Sequence, residues 1–158
     1  MLRDPNLVPL SRQHQHALAL CVRIQRAPLS SVAELEQWQA EIELSQRTEI
    51  ELHFQAEEQF IFPEARQFDS MRGVVDDLIA EHALLRQGFA KASARAMNAA
   101  DLNHFAQQLT AHIRKEERQL FEAMQRYMTA EQLARIGAQV TTALAKAPRV
   151  CVVPPPTT

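Results

Sequence analysis

Two stretches of the chain repeat one another: His53-Phe-Gln-Ala-Glu57-Glu58-Gln-Phe-Ile61-Phe62 and His112-Ile-Arg-Lys-Glu116-Glu117-Arg-Gln-Leu120-Phe121. Both read His-φ-x-x-Glu-Glu-x-x-φ-Phe, with φ apolar. Residues four apart on an α-helix differ by only about 40° around its axis, so each His and the first Glu of its pair project from one stripe, a turn apart. Upstream of each stretch stands another His, in Gln13-His14 and in Glu81-His82. The chain therefore reads as two copies of a helix pair, each supplying a His and then a His-x-x-x-Glu.

The rest of the sequence supplies the helices on which these groups sit. Three glycines in 158 residues leave too little turn chemistry for a many-stranded sheet, and the fold class is all-α. A first helix is expected from about Leu10 to Arg26, ended by Pro28. Ser31-Val-Ala-Glu34 has the form of a capping box and opens a second helix, which meets no breaker before Pro63. Asp69, Ser70 and Gly73 are read as a connection into a third helix from about Val74 to Ala96. Asp101 is taken as the N-cap of a fourth helix reaching about Met128, and Thr129-Ala-Glu-Gln132 caps a shorter fifth. Short connections between long helices predict an up-down-up-down four-helix bundle with an additional C-terminal helix. One domain is expected over residues 1–147, followed by a disordered Pro-rich tail over 148–158.

Apolar periodicity places the polar groups. On the second helix Leu35, Trp38, Ile42, Glu49, His53, Glu57 and Phe60 form one stripe; on the fourth, Leu102, Phe105, Leu109, His112, Glu116 and Leu120 do the same. On the third helix His82 shares its stripe with Val75, Leu78, Leu85 and Phe89. His14 and His16 lie about 200° apart and cannot both face the core. His14 runs with Leu10, Leu18 and Cys21, His16 with Arg12 and Arg23, so His14 is the inward one. Six polar groups then point into an apolar bundle: His14, His53, Glu57, His82, His112 and Glu116. Without partners they would cost several kcal/mol, which a metal would remove. Imidazoles and bridging carboxylates without a thiolate suit iron or manganese, and zinc accepts them too. Four histidines and two carboxylates exceed what a closed structural zinc site needs and suffice for two metals with positions open to a small ligand. The remaining phenylalanines are read as core, and Glu58, Glu117 and Arg118 as a solvated face.

These segments, with the preceding His14 and His82, resemble the hemerythrin-like HHE cation-binding domain family over roughly Leu10 to Met128. The resemblance implies a four-helix bundle holding a non-haem di-iron centre, oxo- and carboxylate-bridged, that binds oxygen or nitric oxide, or senses or stores iron. His14, His53, Glu57, His82, His112 and Glu116 take its ligand places, with Glu117 an alternative to Glu116. Oxygen-carrying members have a second His one turn from the first on helix three, where this chain has Leu78 and Arg86. Glu49 or Glu81 is a candidate to complete the site. The ferritin-like Glu-x-x-His design is set aside, because Ile50, Ile79 and Leu109 stand three residues before His53, His82 and His112.

Composition narrows the alternatives. With 17 Lys+Arg against 19 Asp+Glu and no basic block, neither a nucleic-acid nor a membrane surface is indicated. No apolar run approaches about 18 residues and none resembles a secretory signal, so a cytoplasmic protein is expected. Cys21 reads as a core residue and Cys151 as a loose thiol in the tail. Phosphate loops, nucleophile elbows and CxxC pairs are missing. Three function classes remain: a di-iron protein binding a diatomic or peroxide, a peroxidase or nitric-oxide reductase on the same centre, and a metal-free or zinc-stabilised helical interaction module. A homodimer or an unidentified protein partner stays open.

Overall fold

A computed structural model describes residues 2–146. Those residues form five helices and no strand: α1 Val8–Arg26, α2 over 32–65, α3 Asp69–Ser93, α4 over 99–127 and α5 Ala130–Leu144. The expected tail over 148–158, with Cys151, lies outside the described residues.

Local chemistry sets most of the boundaries. Ser31 caps α2 and Thr129 caps α5, each in a reciprocal capping box with the residue at N3, Glu34 and Gln132. At α4 the cap is Asn98 rather than Asp101. Asp101 occupies N3 instead, its backbone N–H donating to Asn98 Oδ1 at 2.9 Å while its carboxylate accepts from the Asn98 N–H at 3.1 Å. The α2–α3 connection is also shorter than expected, since Asp69, Ser70 and Gly73 are already helical. A glycine inside a helix costs about 1 kcal/mol relative to alanine. Burial of Met71 and Val75 on either side of Gly73 outweighs that cost.

α2 and α4 are not α-helical throughout. α2 carries π-helical turns at Gln46–Ile50 and Glu57–Ile61, and α4 carries one at Glu116–Leu120. A π turn closes an i→i+5 hydrogen bond and so takes up one residue more than an α turn. This shifts the buried stripe. After Ile42 the buried position is Ile50, not the expected Glu49; after Glu57 it is Ile61 and Phe62, while Phe60 is only partly buried.

The apolar core falls into two clusters. One holds Leu20, Ile24, Ile42, Phe54, Phe89 and Leu109 among others, the second Leu10, Phe62, Val75, Phe121 and Ile136 among others. On each of α1 to α4 the buried histidines and glutamates lie near the changeover from one cluster to the other, and the order of clusters along the chain reverses from each helix to the next. α1 packs along α4 and α2 along α3, while α5 lies against α2 over its 51–61 stretch. Cys21 is fully buried, and that burial pushes its thiol up to about 11, in keeping with a core residue.

Candidate metal centre

Between the two apolar clusters the structure brings together His14 from α1, His53 and Glu57 from α2, His82 from α3, and His112 and Glu116 from α4. All six are buried, none more than 4 % exposed. The imidazoles turn their Nε2 atoms inward. His14 Nε2 lies 3.1 Å from Glu116 Oε2, and His53 Nε2 lies 3.2 Å from Glu57 Oε1. On the other side His82 Nε2 is 3.5 Å from Glu57 Oε2, and His112 Nε2 is 3.2 Å from Glu116 Oε1. Each carboxylate thus offers one oxygen to each pair of histidines. His16 is elsewhere, exposed on the opposite face of α1 and paired with Glu49 at 3.0 Å, so neither joins the cluster.

The outward Nδ1 atoms are all engaged. His14 Nδ1 donates to Glu117 Oε1 at 2.7 Å, His82 Nδ1 to Glu58 Oε1 at 2.8 Å, His112 Nδ1 to Glu81 Oε2 at 2.9 Å and His53 Nδ1 to Gln13 Oε1 at 2.8 Å. These oxygens accept, so each Nδ1 carries a proton, and Nε2 is the nitrogen turned inward, able to bind an ion once its own proton is given up. Glu58 and Glu117, expected on a solvated face, are instead anchors of the imidazoles, with about a third and a quarter of their side chains exposed. The signal for them was the doubled Glu in both repeats. Adjacent helical residues point about 100° apart, so the first Glu faces the cluster and the second reaches around to a His on a neighbouring helix. Gln13 and Glu81, the residues before His14 and His82, had a matching signal. Three of the anchors are themselves tied to cations: Glu117 to Arg3, Glu58 to Arg86 and Glu81 to Lys115. Arg86, one turn after His82, pairs with Glu51 and Glu58 and lies over the Phe54 ring.

Six buried atoms have no hydrogen-bond partner: both oxygens of Glu57, both of Glu116, and Nε2 of His82 and His112. Buried polar atoms are rarely left so, and here they converge. Donor atoms of His14, His53, Glu57 and Glu116 lie within 4.8 Å of one another, as do those of His82, His112 and Glu116, so each group could hold an ion. Without one, protons take its place. Burial pulls the histidines down, but Glu116 with Glu117 lifts His14 to about 9, Glu116 with Glu57 lifts His82 to about 9, and Glu116 with Glu81 lifts His112 to about 10. Burial likewise works to raise Glu116, yet the facing histidines hold it well below the usual carboxylate range.

Aromatic rings wall the cluster. Phe54 stacks on His82 with ring centres 3.8 Å apart, Phe62 lies 5.3 Å from the same ring, and Phe121 stacks on His14 at 5.7 Å. A narrow cavity of about 10 Å³ reaches the cluster from the side of α1, α2 and α4, touching Gln13, His14, His53, His112 and Glu116. Among the described residues no helix is long and apolar enough to cross a membrane.

Comparison with curated proteins and with solved structures gave no match. The family model described as hemerythrin HHE cation binding domain matches residues 8–124, which covers α1, α2, α3 and all but the end of α4 and includes all six clustered residues. With a matched span of that extent and a buried His/Glu cluster suited to a cation inside it, the chain belongs to the hemerythrin HHE cation-binding domain family.

Proposed function

We propose that this chain is a non-haem di-iron protein whose centre binds a diatomic molecule or peroxide, in sensing, scavenging or iron handling. The observation that carries the reading is the bridging geometry: Glu57 and Glu116 each direct one oxygen to the His14/His53 pair and the other to the His82/His112 pair. A single closed site would need four donors, whereas this arrangement presents two sets that share their carboxylates. His14 and His53 would hold one metal and His82 and His112 the other, with Glu57 and Glu116 spanning both. The alternation of cluster order along the helices is read as an up-down-up-down bundle, and α5 as a cover on α2.

Iron in such a donor set supplies open coordination positions and one-electron redox chemistry. The protein's part is to orient and to exclude. Four Nδ1 hydrogen bonds fix the imidazole planes and keep every Nε2 lone pair directed inward. Phe54, Phe62 and Phe121 keep bulk water from the carboxylates. The cavity is about the size of one water molecule, which suits a very small ligand rather than a larger substrate.

Elemental analysis of protein purified anaerobically from iron-supplemented cells tests the reading. About two irons per chain, with an optical change on adding air, supports it, and replacement of both His53 and Glu57 by alanine should abolish that stoichiometry. Iron content unchanged in the double variant, or one zinc per chain in the native protein, overturns it.

A further inference from the structure

The two halves of the cluster match residue for residue except at one position. His14 corresponds to His82, His53 to His112, Glu57 to Glu116 and Glu58 to Glu117, and both members of the last pair anchor a histidine of the opposite half. The residue before His14 and the residue before His82 also play the same part, each accepting from the Nδ1 of the next helix's histidine. One is Gln13, 2.8 Å from His53; the other is Glu81, 2.9 Å from His112. One anchor is a neutral amide and the other a carboxylate braced by Lys115.

We infer that Gln13 and Glu81 make the two metal positions unequal, so that metal at His82/His112 is retained and metal at His14/His53 is the exchangeable one. The inference rests on the two-metal reading above. A carboxylate on Nδ1–H draws the proton toward itself and makes Nε2 a stronger donor than an amide oxygen does. At His82/His112 both imidazoles have carboxylate anchors, Glu58 and Glu81; at His14/His53 only His14 has one, Glu117. The inward donors do not produce this ranking. They gather slightly closer around His14/His53, where four atoms lie within 4.8 Å against three on the other side, and Glu57 Oε2, 3.5 Å from His82 Nε2, stands by as the fourth there.

Access points the same way. The cavity touches Gln13, both His14 and His53, and from the other side His112 and Glu116, but neither His82 nor Glu57. His82 is fully buried, covered by Phe54 and Phe62. A small molecule, a chelator's displacing ligand or water therefore meets both histidines of the His14/His53 position but only His112 of the other pair. Gln13 stands at this approach with its carbonyl committed to His53, which leaves its amide N–H groups free to donate to what arrives.

Release kinetics test the inference without any assay of turnover. Protein loaded anaerobically with ferrous iron is mixed with excess ferrous chelator, and released iron is followed while retained iron is measured by elemental analysis. Two phases are expected, one iron each, with rates at least about tenfold apart, in line with the effect of an outer partner on metal affinity. Gln13→Glu should slow the fast phase toward the slow one, and Glu81→Gln should speed the slow phase. Far-UV circular dichroism establishes that each variant is folded, and if Glu81→Gln fails that check the native protein and Gln13→Glu decide the matter. Release of both irons in one phase, or Gln13→Glu that leaves the fast phase unchanged, overturns the inference while leaving the two-metal reading intact. Loading of fewer than two irons per chain overturns that reading, and the inference with it.

Discussion

His14 Nδ1 donates to Glu117 Oε1 at 2.7 Å, joining α1 to α4 just outside the cluster. Burial works against the Glu117 charge, yet the His14 and Ser11 hydrogen bonds hold the carboxyl down at about 2. Glu117→Gln keeps an acceptor in place and removes the charge. It should weaken metal binding about 10- to 100-fold while two metals still load at saturation. Equilibrium competition with a chelator of known affinity measures this, and unchanged affinity would show that Glu117 is only a surface partner of Arg3.

The metal-free chain should have its own stability profile against pH. His14 and His82 at about 9 and His112 at about 10 all lie above the ordinary 6.5, so their ion pairs stabilise fully below about 6.5 and are lost as pH rises through 9 to 10. Glu57 and Glu116 are held below 4.5, so their contribution is present above 4.5 and fades as pH falls through the lowered values. Melting temperature without metal should therefore be highest between about 4.5 and 6.5 and fall toward alkaline pH. Metal competes with protons for the same Nε2 atoms, so loaded protein should keep its melting temperature well above pH 6.5 and chelation should lower it there. Coincident melting curves with and without chelator at pH 8 would contradict the proposed role of the cluster.

Gln39 is a buried amide that joins α2 to the α3–α4 connection. Its Nε2 donates to the Leu35 carbonyl at 3.1 Å and its Oε1 accepts from the Met97 N–H at 2.8 Å. Gln39→Ala strands the Met97 N–H in a buried place and should cost about 1–3 kcal/mol of stability. Denaturant unfolding checks it, with metal stoichiometry expected to stay at the native value because Gln39 touches no clustered residue.

Gly88 marks where α3 and α4 approach closely. A Cβ there would stand 2.6 Å from Phe105 Cδ2, and Phe105 is buried against Phe89 with ring centres 5.0 Å apart. Alanine is the better helix former by about 1 kcal/mol, but the overlap should outweigh it and leave Gly88→Ala about 1–2 kcal/mol less stable. Gly73→Ala is the control, since a Cβ at Gly73 meets nothing within 4 Å. That variant should be as stable as the native protein or more so.

The sequence carried the all-helical class and the duplicated His-x-x-x-Glu because both depend on local spacing. His and Glu four apart share a stripe whatever surrounds them, and Ser31 and Thr129 announce their helices by side-chain chemistry alone. Features that depend on tertiary partners were not legible. Nothing in Gln46–Ile50 or Glu57–Ile61 announces a π turn, so α-helical spacing alone runs the stripe through Glu49 and Phe60 where the structure buries Ile50, Ile61 and Phe62. Glu58 and Glu117 looked solvated because their partners, His82 and His14, lie on other helices. Gly73 looked like a turn because the burial of Met71 and Val75 that carries the helix past it is a property of the packed molecule.

The crossing of anchors between the two helix pairs makes the centre an interface within one chain. Neither pair is sufficient: without α4, His14 has neither Glu116 beside its Nε2 nor Glu117 on its Nδ1, and without α2, His82 has neither Glu57 nor Glu58. A polypeptide cut in the short connection at 66–68 would yield one fragment with His14, His53 and Glu57 and another with His82, His112 and Glu116, each lacking the carboxylate that the other contributes. Metal capture by this chain is therefore a readout of docking between its halves, and an ion added during refolding would act as the latch that joins them.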